Sequence, residues 1–276
     1  MDSRRRSVLE TRHMTAGEVV DRIKKNIGVA WRETTYRDTY KWGSPETSVT
    51  GIATTMFNSF DVVERAVAAG LNMIVPHETT FWNDRDDLTV VNADALYREK
   101  RDYLAAHNVV IFRMHDHVHD RRPDFTYVGS ARELGLDPAR EMPPGSHRFT
   151  IPETTLEALA ADIQRRMGIR ALRVVGDPKA RVSRIQLGVG YATPAANGPD
   201  VDVVISGEQQ EVDGGLDAPE YIADAAALRL PRGWIMLGHN VSEEAGMLEM
   251  AQWIKTVVPE VPVQLIKSGE PFWAPK

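Results

Sequence analysis

Three places in the chain bring imidazoles and carboxylates together where an apolar run ends. Residues 71–76 (LNMIVP) lead into His77-Glu78, and residues 109–114 (VVIFRM) lead into His115-Asp116-His117-Val118-His119-Asp120. Residues 234–238 (WIMLG) lead into His239, with Glu243 four positions on. Imidazole nitrogen and carboxylate oxygen are donors that borderline divalent cations accept. His77, His115, His119 and His239 with Glu78 and Glu243 form the inventory of a dinuclear centre for Zn, Mn, Fe or Co. Each motif alone has a plainer explanation. The histidine-rich stretch can be a solvated loop, His77-Glu78 a surface pair, and Glu243 half of a capping box with Asn240. Three strand ends acquiring these residues together by accident is the weaker account. A fourth apolar run, residues 203–206, ends at Gly207-Glu208. Glu208 reads as a proton carrier or substrate-facing carboxylate, or else as an exposed turn acid.

Short apolar runs separated by helical patterns are buried strands of an α/β sheet, whose ligands collect at the strands' carboxyl ends. Helical spacing starts near Thr15, a candidate N-cap, with Val19, Val20, Ile23 and Ile27 on one face. A polar connector over 32–45 precedes a strand within 49–57. A helix over 60–69 closes at Gly70, and another over 92–107 leads to the strand ending at His115. Alternation of this kind implies a largely parallel sheet. Residues 123–144, rich in Pro, Gly and charge, mark the passage to a second lobe. That lobe has a helix over 154–167, strands over 171–175 and 184–189, the strand ending at Glu208, and a helix over 218–228. A final helix runs 240–257, and a short strand covers 263–266. The segments 49–78 and 182–208 echo each other, each ending in a strand and an acid. Were residues 115–119 extended, His115, His117 and His119 would all face one way; in a helical turn, His115 and His119 share a face.

Composition removes several function classes. The chain has 276 residues, 42% hydrophobic and 26% charged, a formal net charge of −6 and no cysteine. Thiolate metal sites, disulfides and cysteine nucleophiles are excluded, so a metal must be held by nitrogen and oxygen. The negative charge argues against nucleic acid or an anionic membrane as partner, and no run reaches the ~20 apolar residues of a membrane span. Residues 1–13 read as a polar tail, since Glu10, Thr11, Arg12 and His13 stand where an export signal needs apolar residues. A cytoplasmic protein is expected. No Walker loop, dinucleotide fingerprint or nucleophile elbow occurs. Residues 188–190 (GVG) are a weak phosphate-loop signal, and Phe81, Trp82 and Trp234 read as packing aromatics.

The motifs in order, VPHE (75–78), HDHVH (115–119), VISGE (204–208) and GHNVSEE (238–244), resemble the NIF-three-like family, also known as type 2 homologues of GTP cyclohydrolase I. The resemblance spans roughly residues 15–257, with GHNVSE and ISGE its most specific parts. The family usually has His-His at the first motif and Asp at the end of the second. Here Glu78 and His119 stand at those positions, so one imidazole and one carboxylate have exchanged and the ligand charge is unchanged. Carboxylates bridge cations and imidazoles normally do not, which favours Glu243 as the bridge without excluding Glu78. The resemblance implies a two-lobed α/β fold with largely parallel sheets flanked by helices and two divalent ions in the inter-lobe cleft. Lobe 1 would comprise 14–127 plus 238–276 and lobe 2 would comprise 128–237, with no inserted domain. It also implies a homohexamer built as a trimer of dimers. The activity expected is metal-dependent hydrolysis of a C–N bond in a nucleotide-like or other nitrogen-containing small molecule. The alternatives are a non-catalytic metal carrier or assembly protein, and a ring-shaped scaffold with structural metals.

Overall fold

The computed structural model describes residues 14–275 apart from 88, 90, 91, 193, 213 and 214; the tail expected over 1–13 lies outside the described residues. Two five-stranded mixed sheets organise the chain. The first has the order β1 (Tyr40–Trp42), β4 (Val110–Phe112), β3 (Met73–Pro76), β2 (Ile52–Thr55), β10 (Val263–Leu265). The second has the order β5 (Arg148–Thr155), β7 (Arg181–Leu187), β8 (Val203–Ser206), β9 (Gly233–Met236), β6 (Arg173–Gly176). Neighbours from β4 to β10 pair in parallel, as do β7, β8 and β9, while β1, β5 and β6 pair antiparallel at the edges. Every residue of β2, β3, β4, β8 and β9 is buried, which is why these strands are built mostly of apolar residues, with Thr54, Thr55 and Ser206 the polar exceptions.

Helix α1 (Ala16–Asn26) begins in a complete capping box, Thr15 with Glu18, and buries Val19, Val20 and Ile23. Helices α2 (Phe60–Ala68) and α3 (Ala95–Ala106) connect the parallel strands of the first sheet. Between β4 and β5 come a single helical turn, α4 (Asp116–Asp120), and α5 (Phe125–Glu133). Helices α6 (Leu156–Met167) and α7 (Asp217–Ala227) belong to the second sheet, and α8 (His239–Val257) starts three residues after β9. Helix α8 joins the two halves: Val241 packs in the core of the second sheet, and Met247 and Met250 in that of the first. Helix α5 does the same with Phe125 and Ala131, so the expected lobe boundary between 127 and 128 falls inside it.

Strand β1 and helix α5 occupy stretches expected to be connector and passage, and β5 lies mostly in residues 145–153, to which the sequence assigns no element. Their apolar content is small: β1 is only half-buried, and α5 buries Gly129, Ser130 and Thr126 where a periodic pattern would need large residues. Small residues are required there because α5 and α8 cross at backbone contact. A Cβ on Gly129 would overlap the Ala245–Gly246 peptide, and one on Gly246 would meet Thr126 Cα at 2.6 Å.

Two consequences can be measured. Gly129→Val should lower unfolding stability by about 1–3 kcal/mol through overpacking, read as a lower urea midpoint; an unchanged midpoint would show that the crossing has slack. Burial pulls the Lys100 ammonium from its ordinary 10.5 to about 8. A depressed lysine penalises the fold while it stays charged, so its contribution to stability should rise as pH increases from about 8 to 10.5. The stability difference between the native chain and Lys100→Met should therefore change across that window, measured by denaturation at fixed pH values. A constant difference would contradict the shift.

Candidate metal centre

The three histidine motifs meet at the carboxyl ends of β3, β4 and β9, between the two sheets. Each of the four rings is held from behind. The Nδ1–H of His77 donates to the Met114 carbonyl at 2.9 Å. Those of His115, His119 and His239 donate to Asp116 at 3.0 Å, Asp124 at 2.9 Å and Glu208 at 2.9 Å. Because these partners can only accept, each ring when neutral carries its proton on Nδ1 and its lone pair on Nε2. The Nε2 atoms turn towards one centre. His77 Nε2 lies 3.1 Å from His119 Nε2, and the His115 ring stacks on His77 at 4.6 Å.

Glu243 and Glu78 reach into this centre. Glu243 Oε2 lies 3.3 Å from His239 Nε2 and 3.6 Å from His77 Nε2, and its Oε1 lies 3.9 Å from His119 Nε2. Glu78 Oε1 lies 3.5 Å from His239 Nε2 and 3.7 Å from His115 Nε2. Glu243 is 2% exposed, and its Oε2 makes no hydrogen bond of acceptable geometry. A buried carboxylate oxygen without a hydrogen bond is costly, and two neutral imidazoles with Nε2 atoms 3.1 Å apart would set their lone pairs against each other. A cation among them removes both penalties, so the donor set fits divalent metal. His77, His115 and His119, and likewise His77, Glu78 and Glu243, each offer donor atoms within 4.8 Å of one another. All six residues singled out as ligands from the sequence are thus brought together, and Glu208 stands directly behind His239.

The protein's own charges divide the cluster. Burial, reinforced by neighbouring imidazoles, drives His77 well below its ordinary value and keeps His115 low. Burial also opposes a charge on His239, but the surrounding carboxylates of Glu243, Glu78 and Glu208 outweigh it and raise the ring to about 11. At His119 burial again opposes, and Asp124 wins, so the net shift is upward. Glu78 is held below the carboxylate range because His239, His115 and Arg113 overcome its burial.

The local folding of each motif explains this placement. Residues 115–120 form the helical turn, so His115 and His119 share the site while His117 turns into the core. There His117 Nδ1 pairs with Asp38 at 2.5 Å, its Nε2 accepts from the Arg32 amide at 2.9 Å, and its ring stacks on Trp31 at 3.7 Å. Asp38 also accepts from the His115, Asp116 and His117 amides at 2.6–2.9 Å, closing the start of the turn. The capping box expected of Asn240 and Glu243 does not form. Helix α8 starts one residue earlier behind Gly238, the Asn240 side chain binds the Gly269 carbonyl and Ser268, and Glu243 is left for the centre.

Four supporting residues were not singled out as site residues. Arg113, fully buried inside an apolar run, donates to the His77 carbonyl at 3.0 Å and to Glu78 Oε2 at 2.9 Å. Asp38 lies in the polar connector, which carries no sequence signal. Asp124 has one, an acid two positions before Thr126 whose amide it accepts at 2.7 Å. Gly190, in the GVG stretch, lies against Glu243. A Cβ there would overlap the Glu243 carboxylate, so the glycine lets the second sheet's loop close over that acid. Trp82, expected to pack, is instead 65% exposed, whereas Phe81 and Trp234 are buried as expected.

Asp124→Asn retains a cap for Thr126 but removes the charge behind His119. Metal affinity should fall by roughly tenfold or more, measured by competition with a chromogenic chelator. Unchanged affinity would separate Asp124 from the centre.

No curated protein matches the chain significantly. Its fold is similar to that of several solved structures. A Bacillus cereus protein related to NIF3 aligns with a TM-score of 0.70 at 13% identity, covering 96% of this chain and 100% of that one. The Staphylococcus aureus hypothetical protein SA1388 aligns at 0.67 and 17% identity, covering 96% and 100%. TTHA1606 from Thermus thermophilus aligns at 0.62 and 15% identity, covering 94% and 100%. At these identities the likeness shows the fold alone. The family model for Duf34/NIF3 (NGG1p interacting factor 3) matches residues 14–271, nearly the whole chain, and the protein belongs to that family.

Proposed function

We propose that the protein is a metal-dependent hydrolase acting on a C–N bond of a small nitrogen heterocycle or amide. The observation that supports this most is the opening of the cluster on one side. Glu78 and His239 form part of the wall of a cavity of about 740 Å³, a volume ordinary for small-molecule sites. Structural metal sites are closed, whereas catalytic ones keep a face that substrate can approach.

In this reading His77, Glu78, His115, His119, His239 and Glu243 would hold two divalent cations. The cations supply Lewis acidity and make water a competent nucleophile at neutral pH. The chain's own residues do the rest. Met114, Asp116, Asp124 and Glu208 fix the rings through Nδ1, so the donors need no rearrangement. Arg113 anchors one oxygen of Glu78 and leaves the other facing the centre. Glu208, hydrogen-bonded to His239 and one-third exposed, is the carboxylate able to carry a proton from the attacking water to the departing nitrogen.

Metal analysis of His239→Ala tests the assignment. Bound metal should drop below two ions per chain, and hydrolysis of amide and heterocycle substrates should be lost with it. Unchanged stoichiometry would remove His239 from the centre. Full metal loading of the native chain without turnover of any such substrate would leave a carrier or scaffold as the better reading.

A further inference from the structure

Glu78 and His115 stand on different segments, yet one chain of charged side chains joins them behind the centre. Arg113 Nη2 donates to Glu78 Oε2 at 2.9 Å and to Asp84 Oδ1 at 3.0 Å. Arg37 grips both oxygens of Asp84, with Nε on Oδ1 at 3.1 Å and Nη2 on Oδ2 at 2.5 Å. The third nitrogen of Arg37, Nη1, donates to Asp116 Oδ1 at 3.3 Å, and the same oxygen accepts the His115 Nδ1–H at 3.0 Å. On the side of the centre, Glu78 Oε1 and His115 Nε2 lie 3.7 Å apart and close the circuit.

An exposed ion pair contributes little to stability by itself. Here the Arg113 side chain is fully buried, that of Asp116 is 14% exposed, and Arg37 pairs with Asp84 through two parallel hydrogen bonds. Neighbouring hydroxyls add to the grip: Tyr36 donates to Asp84 Oδ2 at 2.5 Å and Thr35 to Asp116 Oδ2 at 2.7 Å. Arg32 also approaches Asp116, but at 3.8 Å, and is engaged with Asp120 at 2.7 Å.

Two guanidinium groups and two carboxylates balance, so Arg37, Asp84, Arg113 and Asp116 together bring no net charge to the donors. What they fix is spacing. Glu78 is held by Arg113, His115 is held by Asp116, and Arg37 with Asp84 connects the two. We propose that Arg37 is a positioning residue of the metal centre, holding Asp84 against Asp116 so that the Glu78 and His115 donors keep the separation a cation requires. The polar connector at 32–45 therefore supports the centre twice, with Asp38 at the start of α4 and with Arg37 behind it. Asp84 also stands in the wall of the cavity beside Glu78, so the same contacts set one side of that cavity. The assignment rests on the metal centre and is independent of the hydrolase reading.

The test is Co(II) binding by Arg37→Gln, Asp116→Asn and the double variant. Affinity is read by chelator competition and coordination by the visible ligand-field spectrum. Each single variant should bind Co(II) roughly tenfold more weakly, the scale of an outer partner of a metal ligand, with its ligand-field bands displaced. The double variant should lose less than the product of the two single losses, because Arg37 acts in part through Asp116. Arg37→Lys should behave as Arg37→Gln does, since one ammonium cannot hold two carboxylates as a planar fork can. Should Arg37→Gln fail to fold by circular dichroism, Asp84→Asn, which keeps the side-chain shape, carries the same expectation. Native affinity with an unshifted spectrum, single losses that multiply in full in the double variant, or native behaviour of Arg37→Lys would each overturn the assignment. A native chain that takes up no Co(II) would overturn it together with the centre. Full loading without turnover of any amide or heterocycle would remove the hydrolase reading and leave the role of Arg37 standing.

Discussion

A carboxylate sealed among imidazole lone pairs is the constraint around which the molecule is arranged. Glu243 has almost no contact with water and faces the Nε2 atoms of His77, His119 and His239. In a low-dielectric interior such a set of acceptors is unstable unless positive charge stands among them. Glu243, Glu78 and Glu208 around His239 and Asp124 behind His119 draw protons towards the cluster, while burial pushes His77 and His115 down. Divalent cations satisfy all the inward-facing donors at once, which a proton on one ring cannot do.

The scaffold serves that arrangement at several distances. Nearest are the acceptors that hold each Nδ1, then Asp38 and Arg113, which fix the turn of α4 and the carboxylate of Glu78. Farther out, glycines remove side chains where backbones must meet. Gly190 lets a loop of the second sheet close over Glu243, and Gly129 with Gly246 lets α5 lie against α8. The second contact sets the position of Asp124, at the start of α5, relative to the helix that carries His239 and Glu243. The centre is therefore an inter-sheet feature whose geometry depends on how closely those two helices cross.

Much of this was legible in the sequence because buried parallel strands are short, apolar and abruptly terminated, and sites of α/β folds sit at those terminations. The six donors converge as the motif spacing implied, and the helical alternative for residues 115–119 is the one adopted. What stayed hidden depends on tertiary partners. Asp38 caps a helical turn almost eighty residues away, and nothing near it in the chain reveals that. Helix α5 lacks a periodic apolar pattern because its contact face is made of small residues. The spacing of Asn240 and Glu243 suits a cap, yet the helix begins earlier and the acid is used elsewhere. Trp82 has the composition of a core residue, yet it is 65% exposed.

Anomalous diffraction from crystals of the metal-loaded protein examines the central claim directly. The account predicts strong anomalous density between the Nε2 atoms of His77, His119 and His239, in contact with the Glu243 carboxylate. Fully loaded crystals with no density there, or with metal bound only at other residues, would contradict it.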